Sequence, residues 1–294
     1  MNIGEFYINN LRKLQLIPIA IMLTMLAILF YSYFTTGYFI ERDISLKGGS
    51  MITITTDKDT SNVDGFLSSR FPDYEFSTRK LTEFGTSATK GITIETNMGD
   101  IENLKQALEE FLNIRLSKEN FSAEFTESSL GSSFTYQIIR SLIVAFILMA
   151  IVVFITFRVF VPGLAVIFAA IFDIIVSMGF MNILGIKLSI PTAAALLLLI
   201  GYSVDTDILL TTRILKRKAS GSLNERIFES IKTGTTMTFS AIGALLIGYL
   251  VTNSFVMESM FLVIIMGLVA DLFSTWLVNV YILKLYVERR EKNG

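Results

Sequence analysis

Cysteine and histidine are both absent from this chain of 294 residues, and proline occurs only four times. Without cysteine the protein forms no disulfide and has no thiolate chemistry. Without histidine it lacks the side chain that most often carries protons near neutral pH and most often binds metals. Any proton chemistry must therefore use carboxyl groups, lysine, tyrosine or water. No cofactor or metal site is indicated, and a net charge of −1 gives no sign of nucleic-acid binding.

Hydrophobic residues make up 52% of the chain, and the mean hydropathy is +0.59. This composition is typical of a membrane protein with several spans. About 20 apolar residues in a helix cross a bilayer. Six stretches fit that length, at residues 16–40, 134–157, 162–183, 189–212, 234–252 and 259–283. The first is too long for a cleaved signal peptide and lacks a small-residue cleavage site, so we expect an uncleaved signal anchor.

The basic residues near the ends of these stretches lie mainly on one side of the predicted membrane. That side has Arg12, Lys13, Arg158, Arg213, Lys216, Arg217, Lys218, Arg226, Lys232, Lys284, Arg289, Arg290 and Lys292, whereas the opposite short loops have only Lys187. Because positive residues stay in the cytoplasm, this pattern predicts a multi-pass protein of the cell membrane with both termini cytoplasmic. The predicted parts are 1–40 (N-terminus and first transmembrane helix), 41–133 (external domain), 134–283 (five-helix bundle) and 284–294 (cytoplasmic tail).

The predicted external segment has the pattern of a small α+β domain. Alternating or β-prone runs predict strands at residues 50–56, 74–82, 89–96 and 121–126, the middle two being separated around Gly85. Residues 61–71 and 100–113 have helical patterns, and Asp100 is suited to cap the second of these helices. The order β-α-β-β-α-β is that of the ferredoxin-like fold. The predicted fold class is therefore a bundle of six transmembrane helices with an external ferredoxin-like domain.

Four aspartates, Asp173, Asp205, Asp207 and Asp271, fall within the apolar stretches. A charged side chain at the centre of a bilayer costs roughly 2.5–3.5 kcal/mol, so intramembrane carboxyl groups generally mark a functional site. No lysine or arginine lies at comparable depth in the sequence. A carboxyl group without a cationic partner becomes charged when water reaches it, which suits a proton or ion relay. The four aspartates are the candidate relay.

The directions of the two central aspartates can also be predicted. Asp205 and Asp207 are about 200° apart around a helix, so one can face this bundle and the other a partner chain. The alternative to a relay is that the carboxyl groups are structural, with hydroxyl groups satisfying them. The candidate hydroxyl partners are Ser203, Thr206, Thr211, Ser240 and Ser274.

The motifs of several enzyme classes are missing. The sequence has no G-x-x-x-x-G-K-[ST] phosphate-binding loop and, lacking histidine, no H-E-x-x-H or Ser-His pair. Intramembrane proteolysis by two aspartates is the enzyme class that remains, but its Gly-x-Gly-Asp signature is not found around Asp205 or Asp271. The chain is therefore not expected to be an enzyme. At the junction with the external domain, Gly48 and Gly49 allow the backbone to turn sharply.

One span, an external domain and five closely spaced spans form a distinctive plan. Together with the runs Gly201-Tyr202-Ser203-Val204, Arg213-Ile214 and Phe172-Asp173-Ile174-Ile175, this plan resembles the SecF family of protein-export subunits, in its archaeal form. The resemblance implies one half of an RND-type transporter, with a SecD-like subunit as the other half. It also implies contact with the Sec channel, the translocating polypeptide and membrane lipid. The motif residues that would support the relay are Gly201, Tyr202, Ser203, Thr206 and Arg213.

The chain departs from the bacterial family pattern at the relay. The bacterial motif continues with Asn-Asp-Thr, whereas this chain has Asp205-Thr206-Asp207, so Thr206 occupies the position of the bacterial proton-linked aspartate. The family's aspartate before the paired glycines is also missing, since Ser45-Leu46-Lys47 precedes Gly48 here. Two other functions remain open. The chain could be half of an RND-type exporter of lipids or small apolar molecules, or a scaffold that stabilises the channel without transport.

Overall fold

A computed structural model describes residues 3–82, 89–126, 128–216, 221–252 and 254–292. Within these residues six helices are long and apolar enough to cross a membrane, as the sequence predicts. The predicted turn at Gly85 lies outside the described residues, and so do Arg217 and Lys218 of the basic loop.

The first two helices, α1 (Ile3–Leu14) and α2 (Leu16–Thr36), form one long span, and the short helix α3 (Ile44–Lys47) follows it. The later spans are α6 (Ser128–Phe157), α7 (Phe160–Leu184), α8 (Ile190–Lys216) and α9 (Leu223–Val251). The sixth span comprises α10 (Phe255–Phe273), a π-helical segment (Ser274–Asn279) and α11 (Val280–Lys292).

The region between the first two spans is a ferredoxin-like α+β domain, which confirms the predicted order of elements. Its elements are β1 (Gly49–Thr55), α4 (Val63–Arg70), β2 (Phe76–Thr82), β3 (Thr89–Thr96), α5 (Ile101–Leu112) and β4 (Phe121–Thr126). The antiparallel sheet has the strand order β2-β3-β1-β4. Alternate apolar residues of the central strands, such as Ile52 and Ile94, pack with Leu67 of α4 and Leu104 of α5. Asp100 caps α5 by accepting a hydrogen bond from the backbone N–H of Asn103.

The membrane helices pack around a core formed by α7, α8 and α10, which contact one another in pairs. Ala170, Leu199 and Leu268 are among the apolar side chains that these three helices bury together. By contrast, few residues of α6 and α9 are buried. The outer surface of α6 carries exposed aliphatic side chains such as Ile143, Ile147 and Ile151. The three central helices therefore have the most protein around them, and each carries at least one of the intramembrane aspartates.

The α+β domain is joined to the bundle at the loop between α7 and α8. The backbone N–H of Asp43 donates to Leu188 O at 2.8 Å, and that of Leu188 donates to Glu41 O at 2.7 Å. Where the chain enters β1, Gly48 and Gly49 have φ angles of 86° and 140°. Such angles strain any residue with a Cβ atom, so this turn requires glycine.

Candidate functional site

Three aspartates meet in the interior of the bundle. Asp173 of α7, Asp207 of α8 and Asp271 of α10 are all completely buried. Buried polar groups are costly unless they are hydrogen-bonded. Among the described residues, the hydrogen-bond partners of these carboxyl groups are hydroxyl and amide groups, not lysine or arginine. We call Asp173, Asp207 and Asp271 the carboxyl cluster.

Asp173 is held by one serine from each neighbouring helix. Ser203 Oγ of α8 donates to Asp173 Oδ2 at 2.5 Å, and Ser274 Oγ donates to Asp173 Oδ1 at 2.9 Å. The hydroxyl of Ser177, one turn along α7, bonds to the carbonyl oxygen of Asp173 instead. Both carboxyl oxygens of Asp173 therefore have a donor.

Asp271 and Asp207 share a partner. Thr275 Oγ1 lies 2.9 Å from Asp271 Oδ1 and also 2.9 Å from Asp207 Oδ1. Asp271 Oδ2 lies 3.0 Å from Thr206 Oγ1 of α8. Asn279 Nδ2 donates to Asp207 Oδ1 at 2.5 Å. Among the described residues, Asp207 Oδ2 has no hydrogen-bond partner.

The three partners Ser274, Thr275 and Asn279 all belong to the π-helical segment of the sixth span. In a π-helix the backbone hydrogen bonds run from residue i to residue i+5, and such turns occur frequently at functional sites. The segment begins three residues after Asp271 and supplies hydroxyl or amide groups to all three carboxyl groups. Thr275 and Asn279 were missed in the sequence analysis. Their spacing of four and eight residues from Asp271 was the signal that could have identified them.

Asp205, by contrast, lies on the exposed side of α8, opposite Asp207. This arrangement agrees with the separation of about 200° that the sequence predicts. Gly201 and Tyr202 are exposed as well, whereas Ser203 and Thr206 face the cluster. This part of α8 therefore has an inner face with Ser203 and Thr206 and an exposed face with Gly201, Tyr202 and Asp205.

The remaining predicted residues lie elsewhere. Arg213 is half-buried near the end of α8, and none of the hydrogen bonds described for the cluster involves it. Gly48 lies directly before β1, and Gly49 is the first residue of that strand. Of the hydroxyl groups proposed as partners, Thr211 is buried but has no hydrogen-bond partner among the described residues. Ser240 is a wrong prediction, because it is exposed on α9 and donates to Thr236 O of its own helix.

A metal centre has little support in this arrangement. Within the described ranges, no group of three or more His, Cys, Asp or Glu side chains is arranged to hold a metal ion. The polar atoms that meet the cluster come from Ser, Thr and Asn, which can donate and accept hydrogen bonds. The arrangement can therefore hold and redistribute protons among three carboxyl groups.

Comparisons with known proteins give a consistent result. The family model described as protein export membrane protein SecD/SecF, C-terminal, matches residues 106–289. The protein-export membrane protein SecF of Pyrococcus furiosus is 36% identical over 282 residues, which are 95% of this chain and 92% of that protein. The SecF of Methanocaldococcus jannaschii is 43% identical over 202 residues, covering 67% of this chain and 71% of that protein.

A solved structure shares the fold. The crystal structure of SecDF, a translocon-associated membrane protein from Thermus thermophilus, matches with a TM-score of 0.77 at 18% identity. The match covers 98% of this chain but 39% of that chain. The present chain therefore has the architecture of one part of a larger protein.

Proposed function

The chain belongs to the SecD/SecF family of protein-export membrane proteins, and we propose that it uses an ion gradient, with protons as the ion, to promote polypeptide export beside the Sec channel. The single observation that supports this proposal best is the carboxyl cluster, in which Asp173, Asp207 and Asp271 meet on three helices with uncharged partners. On this proposal the cluster carries the ion, and Asp205 contributes from the outer face of α8.

The mechanism follows from the electrostatics of the cluster. Three ionised carboxyl groups repel one another, and each would be far from water in the closed bundle. The present close packing of α7, α8 and α10 suits a cluster in which at most one carboxyl group is ionised. When a further proton leaves, the helices must separate enough to admit water or a counter-charge. Protonation therefore selects between two packings of the bundle, and the α+β domain moves with the loop between α7 and α8.

The orientation is part of the proposal. The basic residues of the loops favour cytoplasmic termini and place residues 41–133 outside the cell. In this orientation the α+β domain meets the polypeptide as it emerges, while residues 134–283 carry the ion path through the membrane and residues 284–294 form the cytoplasmic tail. The aliphatic surface of α6 is suited to contact with lipid or a neighbouring helix.

A SecD-like subunit is the proposed partner. Asp205 and Tyr202 are exposed on α8, and a carboxyl group facing lipid alone would be costly. A second half-transporter packed on this face would shield Asp205 and provide groups to pair with it. The chain covers 39% of the SecDF chain, which is consistent with a separate partner chain that completes the assembly.

Purification from the native membrane in mild detergent tests the partnership. Recovery of a SecD-like chain, with or without the channel, is the expected result. A homodimer or a lipid-handling protein in its place would contradict the proposal and favour the lipid exporter.

Aspartate variants test the relay. D207N and D205N are expected to assemble normally and to lower the rate of export that depends on the proton gradient. Their matched control is E258Q, because Glu258 is a carboxyl group in the first turn of α10, away from the cluster. Normal export in both aspartate variants would rule out the relay and leave the scaffold function.

A further inference from the structure

The Thr275 hydroxyl lies between two carboxyl groups that do not share a helix with each other. Its Oγ1 atom is 2.9 Å from Asp271 Oδ1 on α10 and 2.9 Å from Asp207 Oδ1 on α8. All three side chains are completely buried. A hydroxyl group has one hydrogen to donate and can accept through its oxygen. Both contacts are hydrogen bonds only when one of the two carboxyl groups donates a proton to Thr275.

Thr206 provides a second contact with Asp271. Its hydroxyl is 2.8 Å from the carbonyl oxygen of Ser203 and 3.0 Å from Asp271 Oδ2. The same hydroxyl lies 3.3 Å from Asp271 Oδ1. A hydroxyl group has one hydrogen, so Thr206 can donate either to Ser203 or to Asp271. None of its described hydrogen bonds reaches Asp207, so Thr206 holds Asp271 without connecting the two carboxyl groups.

Asn279, Ser203 and Ser274 make the remaining hydrogen bonds to Asp207 and Asp173. The Asn279 amide donates to Asp207 Oδ1 and holds that oxygen beside Thr275. Asp173, the third carboxyl group of the cluster, is occupied by Ser203 and Ser274. Among the described hydrogen bonds, those of Thr275 connect Asp271 with Asp207.

We infer that Thr275 is the proton bridge of the relay, through which Asp271 and Asp207 exchange one proton. The inference rests on the proposed relay and adds to it the residue that connects two carboxyl groups. In the transfer, the proton of Asp271 Oδ1 moves to Thr275 Oγ1 while the hydroxyl proton of Thr275 moves to Asp207 Oδ1. Asp271 is left as a carboxylate, Asp207 becomes neutral, and Thr275 regains its hydroxyl. No net charge is created.

Infrared spectroscopy of the complex purified from native membranes tests the bridge directly. The C=O stretching band of Asp271 is identified as the one lost in D271N, and its position is then compared with and without D207N. We expect D207N to shift this band, because it changes the hydrogen bonding of Thr275. In the T275V background the shift should disappear, and in the T275S background, which keeps the hydroxyl, it should remain. T238V is the matched control, because the buried Thr238 hydroxyl bonds to Gly234 O of its own helix.

The outcomes separate the bridge from the proposed function. An equal shift in the T275V background would show direct coupling between the carboxyl groups and overturn the bridge, as would no shift in either background.

In export assays T275V should lower the gradient-dependent rate at least ~10-fold, with T275S close to the native rate. If native export does not depend on the gradient, the proposed function fails, whereas the spectral coupling still decides the role of Thr275. If T275V fails to assemble while T275S assembles, the T275S spectrum becomes the test. If D207N then causes no shift of the Asp271 band in the T275S background, the bridge is contradicted.

Discussion

The ammonium group of Lys187 lies 2.7 Å from Glu95 Oε2 and ties the loop between α7 and α8 to strand β3 of the α+β domain. Glu95 is almost completely buried, and its other carboxyl oxygen has no partner among the described residues. Beside this pair, the backbone of Leu188 bonds to Glu41 and Asp43. An ion pair and a backbone bridge thus fix the domain to the same loop.

Lys187→Met is expected to weaken this attachment. The substitution removes the cation that contacts the buried Glu95, and because Lys187 is partly exposed we expect a cost below the roughly 3–5 kcal/mol of a fully buried ion pair. The double variant K187M/E95Q should be more stable than K187M, because it also removes the buried charge. Thermal unfolding in detergent measures both effects. Equal stability of K187M and the native protein would contradict a buried, energetically important pair.

The pH dependence of stability is expected to report on Glu95. Burial raises the pKa of Glu95, and the hydrogen bond from Lys187 opposes this shift. Since the folded pKa is the higher one, this carboxyl group contributes stability below the unfolded pKa of about 4.3. The contribution is lost as the pH rises through the folded pKa. The stability of the native protein relative to E95Q should therefore fall as the pH is raised from 4.

The exposed Asp59 is the control, because its contribution to stability should change with pH in the opposite direction. Hydrogen bonds from Ser61 lower the pKa of Asp59. Native stability relative to D59N should therefore rise with pH through the acidic range, measured by the same unfolding experiment. If the stability of the native protein relative to E95Q also rose with pH, the raised pKa of Glu95 would be contradicted.

Removal of the serine donors is expected to destabilise the bundle. S203A and S274A each leave one oxygen of Asp173 unsatisfied, at a cost of about 1–3 kcal/mol per variant. Because the two serines bind one carboxyl group, the double variant should deviate from additivity. Unfolding in detergent gives the energies. S177A is the control, since its hydroxyl bonds to a backbone carbonyl oxygen, and a loss as large as that of S203A would contradict the prediction.

The contact between α8 and α10 depends on the absence of a side chain at Gly267. A Cβ atom there would lie 2.2 Å from Leu199 Cδ2, so G267A must displace that leucine. We expect a loss of about 1–3 kcal/mol, which L199A partly restores by making room. G243A is the matched control, because its Cβ atom would meet nothing within 4 Å. A stable G267A variant with the native unfolding temperature would contradict this close approach.

Gly48→Ala is expected to strain the turn before β1. At a φ of 86°, an alanine costs roughly 1–2 kcal/mol. Gly65 in α4 is the control, because it has free space around it and alanine favours helices, so G65A should stabilise the domain by up to about 1 kcal/mol. The unfolding of the domain, followed by hydrogen exchange, measures both. Equal effects of the two substitutions would show that the turn tolerates a Cβ atom.

Local patterns in the sequence were sufficient for much of this architecture. Alternating residues predicted the strands, long apolar runs predicted the spans, and the rotation per residue of a helix predicted the opposite directions of Asp205 and Asp207. The partners of Asp207 were not predicted, because the apolar pattern of the sixth span does not show that residues 274–279 form a π-helix. The pair of Glu95 and Lys187 was not predicted either. These residues are 92 positions apart, and only tertiary packing brings them together.

The position of the π-helical segment has a consequence for how the protein is made. Spans are synthesised in chain order, so Asp173 and Asp207 enter the membrane before the segment that provides most of their hydrogen bonds. Until the sixth span arrives, Asp207 has neither Thr275 nor Asn279, and Asp173 has Ser203 but not Ser274. The nascent chain therefore carries two carboxyl groups that lack part of their hydrogen bonds until the sixth span inserts. A product truncated before α10 would lack these donors, so the packing of α7 and α8 around their carboxyl groups depends on the insertion of the sixth span.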